Sequence, residues 1–409
     1  MNPVIISKNI ESEWEILERK GNGHPDTLSD TLAEELSIAY SKYTSRNFGA
    51  ILHHNFDKLA LLGGSSQVKF GDSRMTSPVR VVINGRASKS FGGQQIPVRD
   101  ILEDTVYSFF ERKFKSLIQK KDIRILYEVS TSSTPGAVEG FTGNTPNPRH
   151  KWFDPMSIED LPELRALNCN DTSAACYTAP NSVLSKYILA IESIIHSSPI
   201  NYDGRIGTDI KVMGVKQGQK IGLTIAIPLM AQLIFSIEDF FETKKALHKY
   251  ITEDFCKTNP SYDFDLTINP LDNEKTGDVY LTHSGSCIET GDEGVVGRGN
   301  RIGGLIRINR AMSMEGICGK NPVYHTGKVL AGAAFTIMSE KNLDQTQEAT
   351  LYLVGQRGKS LENPWCVVLE APDSYLQTNL KIIRENIGYT LANLNKISEK
   401  FINRDILLC

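Results

Sequence analysis

Gly21-Asn22-Gly23-His24-Pro25-Asp26-Thr27 leads into a run in which Leu28, Leu32 and Leu36 recur at helical spacing. Proline suits the first position of a helix, so Pro25 marks a helix start and Pro25 to Tyr43 reads as the helix. A glycine-flanked loop feeding a helix is a place where amide donors and the helix dipole attract anions. Far along the chain a second block carries the same mixture. It runs from Gly291-Asp292-Glu293-Gly294 through Gly297-Arg298-Gly299-Asn300-Arg301 to Gly319-Lys320-Asn321-Pro322. Carboxylates and cations alternating among glycines make a poor helix and a poor strand. They suit a triphosphate with its metal ions better than a packing surface.

The segments between these loops read as an α/β chain. Lys58 to Leu62, Pro78 to Asn84 and Ile123 to Val129 read as strands, with Asn84-Gly85 as a turn. Asp209 to Val215 and Lys220 to Pro228 read as a hairpin, and Phe264 to Ile268, Val279 to His283, Leu351 to Gly355 and Cys366 to Glu370 as further strands. Val98 to Leu117, Pro180 to Ile195, Ser236 to Phe255, Pro322 to Ser339 and Ser374 to Lys396 read as helices. Grouped strands and helices recur about three times without a clear sequence repeat. With 409 residues the chain is too long for one core, and two or three α/β units are expected. The division expected is residues 1–130, a lid or binding loop at 131–167, then 168–260 and 261–409.

A net charge of −3 gives no reason to expect nucleic acid or an anionic membrane as partner. No run approaches the ~20 apolar residues of a membrane span, and the first residues lack a signal-peptide core. Seven scattered cysteines without a Cys-x-x-Cys pair fit thiols in a reducing cytoplasm.

In the first loop Asp26 could hold Mg2+ against phosphate oxygens, and His24 could donate to an oxygen that gains charge as a bond breaks. Alone, the loop reads slightly better as an N-capping Asp26 beside a hydrogen-bonded histidine. In the second block Lys320 is a point charge for phosphate. Asn168 to Ser173 is a polar cluster that reads as a capped helix entry. Asp209 and Lys211 read as a charged pair facing water from one strand face. His53-His54 lacks the spacing of a metal site and reads as satisfied polar residues.

Taken in order, six segments resemble the archaeal-type S-adenosylmethionine synthetases. They are Glu18-Arg19-Lys20-Gly21-x-Gly23-His24-Pro25-Asp26, Ile51-Leu52-His53-His54-Asn55-x-Asp57, Asn170-Asp171-Thr172-Ser173, Asp209-Ile210-Lys211-Val212-Met213-Gly214, Gly297-Arg298-Gly299-Asn300-Arg301, and Ser313-Met314-Glu315 with Gly319-Lys320-Asn321-Pro322-Val323. The resemblance implies three similar α/β subdomains of mixed sheets and helices about a pseudo-threefold axis. It implies a homodimer with active sites at the subunit interface. It also implies attack of a methionine sulfur on C5′ of ATP, departure of the whole triphosphate and its hydrolysis to pyrophosphate and phosphate, assisted by Mg2+ and K+.

On this reading His24, Lys211, Arg298 and Lys320 stabilise the leaving triphosphate, and Asp26 holds Mg2+. Asp171, Asp292, Ser173 and Asn170 face the amino acid or nucleoside. Gly23 and the Thr131-Ser132-Ser133-Thr134 run serve ATP, the latter where the family carries Gly-Gln-Gly-Ser. The family's Phe-Gly-Val-Gly-Tyr-Ala-Pro is replaced by Ala174-Ala175-Cys176-Tyr177-Thr178-Ala179-Pro180, its usual histidine by Ser65, and the lid region is longer. These departures keep two alternatives open: transfer to a different thioether or amino-acid nucleophile, and a non-catalytic nucleotide-binding partner.

Overall fold

A computed structural model describes residues 3–8, 13–131, 152–164, 166–343 and 346–408. The expectations at Ser132, Ser133 and Thr134 lie outside the described residues. The helices are α1 (Pro25–Phe48), α2 (Val98–Phe114), α3 (Val183–His196), α4 (Ile237–Thr258), α5 (Thr326–Met338), α6 (Asp373–Leu391) and α7 (Leu394–Asn403).

Three mixed sheets carry the fold, each with an apolar core beneath its helices. The first runs Ile123–Ser130, Val79–Ala87, Ala60–Leu62, Gly294–Val295, and α1 and α2 pack on it. The second runs Asp263–Ile268, Lys220–Ala226, Lys211–Gln217, Trp14–Lys20, Ile306–Arg307, under α3 and α4. The third runs Val4–Ser7, Cys366–Ala371, Ala349–Gly355, Ser173–Ala179, under α5, with α6 and α7 in the same core. In each, one outer strand pairs in parallel and the neighbours that follow are antiparallel. The same arrangement therefore occurs three times, as three similar mixed units require. Strands from both ends of the chain meet in these sheets: Trp14–Lys20 lies between Lys211–Gln217 and Ile306–Arg307.

Several local expectations change. Asn84-Gly85 is no turn, because Val79–Ala87 runs straight through it. Gly85 is glycine for another reason: a Cβ there would stand 2.1 Å from the Asn55 carbonyl of the crossing strand. The helix after Pro322 starts only at Thr326, since the Asn321 carboxamide takes the Val323 and Tyr324 amides into a turn. Asn168 to Ser173 opens a strand, Ser173–Ala179, not a helix. The last helix is two, broken at Ala392-Asn393. Val79–Ala87 and Lys220–Ala226 place exposed and buried residues on alternate faces, which is why their strands were readable.

Candidate active site

Helix α1 presents three buried acids at four-residue spacing, Asp26, Asp30 and Glu34. Residues spaced this way share one helix face. Asp26 Oδ1 accepts the Val295 amide at 3.0 Å, Asp30 Oδ1 the Gly297 amide at 2.8 Å and Glu34 Oε2 the Gly319 amide at 2.9 Å. The whole second glycine block is thus laid along α1. A Cβ on Gly294 would meet the Pro25 carbonyl at 1.9 Å, and one on Gly299 would meet Asp30 Oδ2 at 2.2 Å. Within one chain the two glycine loops interlock.

Their glycines serve this packing. Gly21 and Gly23 donate their amides to the Ile210 and Thr208 carbonyls, both at 2.8 Å. A Cβ on Gly23 would lie 2.3 Å from Thr208 Oγ1. The Gly23 amide expected to meet ATP is therefore engaged within the protein.

Several side chains gather at the start of α1. His24 is its N-cap, and Nδ1 accepts the Asp26 amide at 3.2 Å. The proton of the neutral ring is accordingly on Nε2, which remains a donor. Burial lowers the His24 pKa, opposed by the nearby charges of Asp209 and Asp26 and reinforced by Lys20 and Lys211. Lys211 begins its strand directly opposite Lys20, with its side chain half exposed and Nζ 3.3 Å from Glu18 Oε1. Lys20 Nζ donates to Asp26 Oδ2 at 2.8 Å and to the Arg298 carbonyl at 2.7 Å. The Arg298 side chain itself is exposed. Asn300 clasps the Lys20 backbone through both its amide and its carbonyl, at 2.9 and 2.8 Å. Glu192 on α3 holds the Asn22 amide at 2.8 Å and Arg19 at 2.8 Å.

Asp209 does not face water. It lies just before the strand, outside its alternation, and is buried. Its Oδ2 accepts the Cys287 amide at 3.0 Å and the Cys287 thiol at 2.6 Å, and the same thiol reaches Asp292 Oδ2 at 3.3 Å. Burial and the two carboxylates push the Cys287 thiol up. Asp292 is exposed and joins the His24 group through this chain of contacts.

A second group surrounds the start of α5. Lys320 pairs with Glu315 and lies 3.7 Å from Asp57 Oδ2. Burial lowers its pKa to about 8, with Asp57 opposing. Ser173 Oγ donates to Glu315 Oε2 at 3.2 Å. Asn170 Oδ1 accepts the Thr326 amide at 2.9 Å and its hydroxyl at 3.0 Å, capping α5 from outside the helix. The exposed Asp171 carboxylate accepts its neighbour's amide, Thr172 N, at 2.8 Å. Beneath them Lys328 is fully buried and bonded to both Glu34 oxygens at 2.7 and 2.6 Å, tying α5 to α1. Of the Thr131 to Thr134 run, Thr131 is exposed just past Ile123–Ser130, lining a cleft with Lys89, Arg99 and Tyr127.

The altered segment Ala174 to Thr178 is strand, paired with Ala349–Gly355. Ala175 and Tyr177 point into the third core, where Tyr177 meets Phe335 edge-on. His54 is satisfied by the Leu52 carbonyl and Ser37, and His53 by Glu163. Among the described residues no group of three His, Cys, Asp or Glu side chains is arranged to hold a metal. Asp26, a buried carboxylate beside His24, would suit Mg2+ in the form that ion usually takes, held by one or two carboxylates together with substrate phosphates and water.

Lys20, Asp30, Glu34, Asp57, Glu315 and Asn300 also stand in or beneath these groups and were not singled out from the sequence. The spacing of Asp26, Asp30 and Glu34 was a visible signal, since acids on the face of a helix that also carries its apolar contacts need partners. Glu315 and Asp57 gave no such signal.

Three sheet-and-helix units, with lysines, carboxylates and a neutral histidine gathered where two loops interlock, define an enzyme built for a polyanionic substrate. The family model for S-adenosylmethionine synthetase (AdoMet synthetase) matches residues 3–139 and 157–405. The S-adenosylmethionine synthase of Caldivirga maquilingensis is 32% identical over 402 residues, 96% of this chain and 94% of that protein. A probable S-adenosylmethionine synthase of Aquifex aeolicus is 32% identical over 409 residues, 99% and 98% of the two chains. A solved structure of an unusual S-adenosylmethionine synthetase from Campylobacter jejuni covers 95% of this chain and 88% of its own with a TM-score of 0.54. At 14% identity that likeness speaks for the fold alone. The chain belongs to the S-adenosylmethionine synthetase family and is a methionine adenosyltransferase, joining ATP and methionine to give S-adenosylmethionine. The unmatched stretch 140–156 falls in the segment whose length stood out in the sequence. Among the described residues no helix is long and apolar enough to cross a membrane.

Proposed function

We propose that the triphosphate of ATP lies over the start of α1, bound by side chains rather than by loop amides. The methionine sulfur uses a lone pair to form a bond to C5′ as the C5′–O5′ bond breaks. The bonding pair leaves with O5′ on the triphosphate, and sulfur becomes a sulfonium. No proton moves in this step, so the protein's part is in-line positioning and charge stabilisation. His24 Nε2–H donates to the departing oxygen as its charge grows. Lys211, Arg298 and Lys320 answer the charge spread over the phosphates. Asp26 holds Mg2+, which when bound neutralises phosphate charge. Asp292 and Asp171 face the amino acid or nucleoside, with Ser173 and Asn170 behind them, and Thr131 serves the nucleoside. Hydrolysis of the released triphosphate to pyrophosphate and phosphate follows, with K+ as a further cation, in the cytoplasm.

The single observation behind this reading is the meeting of His24, Lys20, Asp26 and Lys211 at one helix start, with the imidazole held neutral and its Nε2 proton free to donate. The His24 and Lys320 groups are proposed to meet across a homodimer interface. In support, the sheet faces turned away from the helices carry Trp14, Ile16 and Val215 on one sheet and Val4 and Ile6 on another. Incubation with ATP, methionine, Mg2+ and K+ should yield S-adenosylmethionine with pyrophosphate and phosphate in equal amounts. Release of intact triphosphate, or no sulfonium product from a folded dimer, would contradict it. Light scattering should return the mass of a dimer.

A further inference from the structure

Lys20 has no task in the transfer as set out above, yet it stands at the junction of both loops. Its side chain is only 11% exposed. Its backbone cannot shift: Asn300 holds the amide and carbonyl, and Thr27 Oγ1 donates to the same carbonyl at 3.0 Å. The ammonium is seated between a carboxylate oxygen, Asp26 Oδ2 at 2.8 Å, and a backbone carbonyl, that of Arg298 at 2.7 Å. Carboxylate and carbonyl oxygens are the ligands of a hard cation. The other Asp26 oxygen is taken by the Val295 amide. A divalent ion approaching Asp26 therefore meets an ammonium already in place, and two cations at one carboxylate oxygen repel strongly at partly buried sites. A lysine is suited to yield, being a compact charge on a flexible four-carbon stem.

We propose that Lys20 is a positioning residue that occupies the metal position on Asp26 in the free enzyme and gives it up when a nucleoside triphosphate arrives with Mg2+. The metal then binds with the nucleotide and not before it. The displaced ammonium gains the triphosphate as its new counter-charge, so the exchange leaves no cation stranded. This rests on Asp26 as the metal ligand, and the experiment separates the two claims.

Mn2+ binding to the full-length protein without nucleotide is followed by the loss of the free-ion electron paramagnetic resonance signal. Lys20→Gln should bind Mn2+ about tenfold more tightly than the unaltered protein, as removal of a neighbouring positive charge requires. Lys20→Arg should match the unaltered protein, and Asp26→Asn in the Lys20→Gln background should erase the gain. Lys20→Met, which keeps the apolar stem, replaces Lys20→Gln if circular dichroism shows the latter unfolded. No gain in either neutral variant overturns the exchange. A gain that survives Asp26→Asn overturns it too, because the position that Lys20 frees is then not on Asp26. Mn2+ titration in the presence of ATP tests Asp26 by itself: weaker binding in Asp26→Asn keeps the ligand reading whatever Lys20 does.

Discussion

Helices α1 and α5 begin in opposite ways. The first turn of α1 is capped by His24, its own preceding residue, and is ringed by Lys20, Lys211 and the Arg298 loop. The first turn of α5 is capped by Asn170, brought from a distant part of the chain, and has Lys320 and Glu315 closed on each other beside it. At α1 the polar groups keep a donor, His24 Nε2, and a half-exposed lysine available to a ligand. At α5 Asn170 and Ser173 are engaged in holding the protein together, and Lys320 is closed on Glu315 in the free enzyme. A polar cluster before a helix can thus be chemistry or architecture, and only the partners of each atom tell which.

The sharpest way to break this contrast is His24→Ala. Loss of a donor aimed at a leaving oxygen should lower kcat by ~10²–10³. The thermal midpoint should move little, since only one capping bond is lost. A variant that keeps kcat would remove His24 from the chemistry.

Lys320 tests whether the α5 group also meets phosphate. With its pKa lowered to about 8, it loses charge as pH rises through that value in the free enzyme. Accordingly kcat/KM for ATP should fall above about pH 8, by up to ~tenfold per pH unit, because kcat/KM reports the free enzyme. Lys320→Arg should flatten the decline, as a guanidinium stays charged well beyond that range. An unchanged profile in Lys320→Arg would assign the decline elsewhere.

Asp30, under the α1 loops, gives a stability effect. Burial raises its pKa to about 7, while the Gly297 amide opposes this. The folded state therefore holds a proton that the unfolded chain has released, between the ordinary carboxylate range and about pH 7. Stability from this group is greatest below that window, falls as pH rises through it, and is level above about 7. Its slope is at most ~1.4 kcal/mol per pH unit. Urea melts from pH 5 to 8 should show this slope in the unaltered protein and its absence in Asp30→Asn. Parallel curves would refute it.

Asn170→Ala should be the mildest change and the mirror of His24→Ala. Loss of the α5 cap should lower stability by ~1 kcal/mol. With the protein kept folded, kcat should hold, and the methionine KM should carry any effect on substrate. A large drop in kcat would move Asn170 from architecture to chemistry.

Much of the fold was legible because its signals are local. Alternation marked Lys220–Ala226, and leucine spacing marked α1. Trp14–Lys20 went unread although it is central to its sheet, because its pairing partners lie some two hundred residues on. The glycines were singled out for approach to a ligand, and the fold gives four of them a reason of its own. Gly21, Gly23, Gly294 and Gly299 are needed where backbone passes backbone or carboxylate, which no neighbouring residue announces.

The sequence by itself determined the family, the helix start at Pro25 and the residue types at the site, since motif order and local periodicity survive without a partner in view. The tertiary structure alone decided which of those residues are free to act. Hydrogen-bond partners come from other segments: Asp209 is turned to Cys287, Asn170 to Thr326, and three acids of α1 to the amides of a loop almost three hundred residues away. A buried polar atom must find its partner wherever the fold brings one, and that place is not written next to it in the chain.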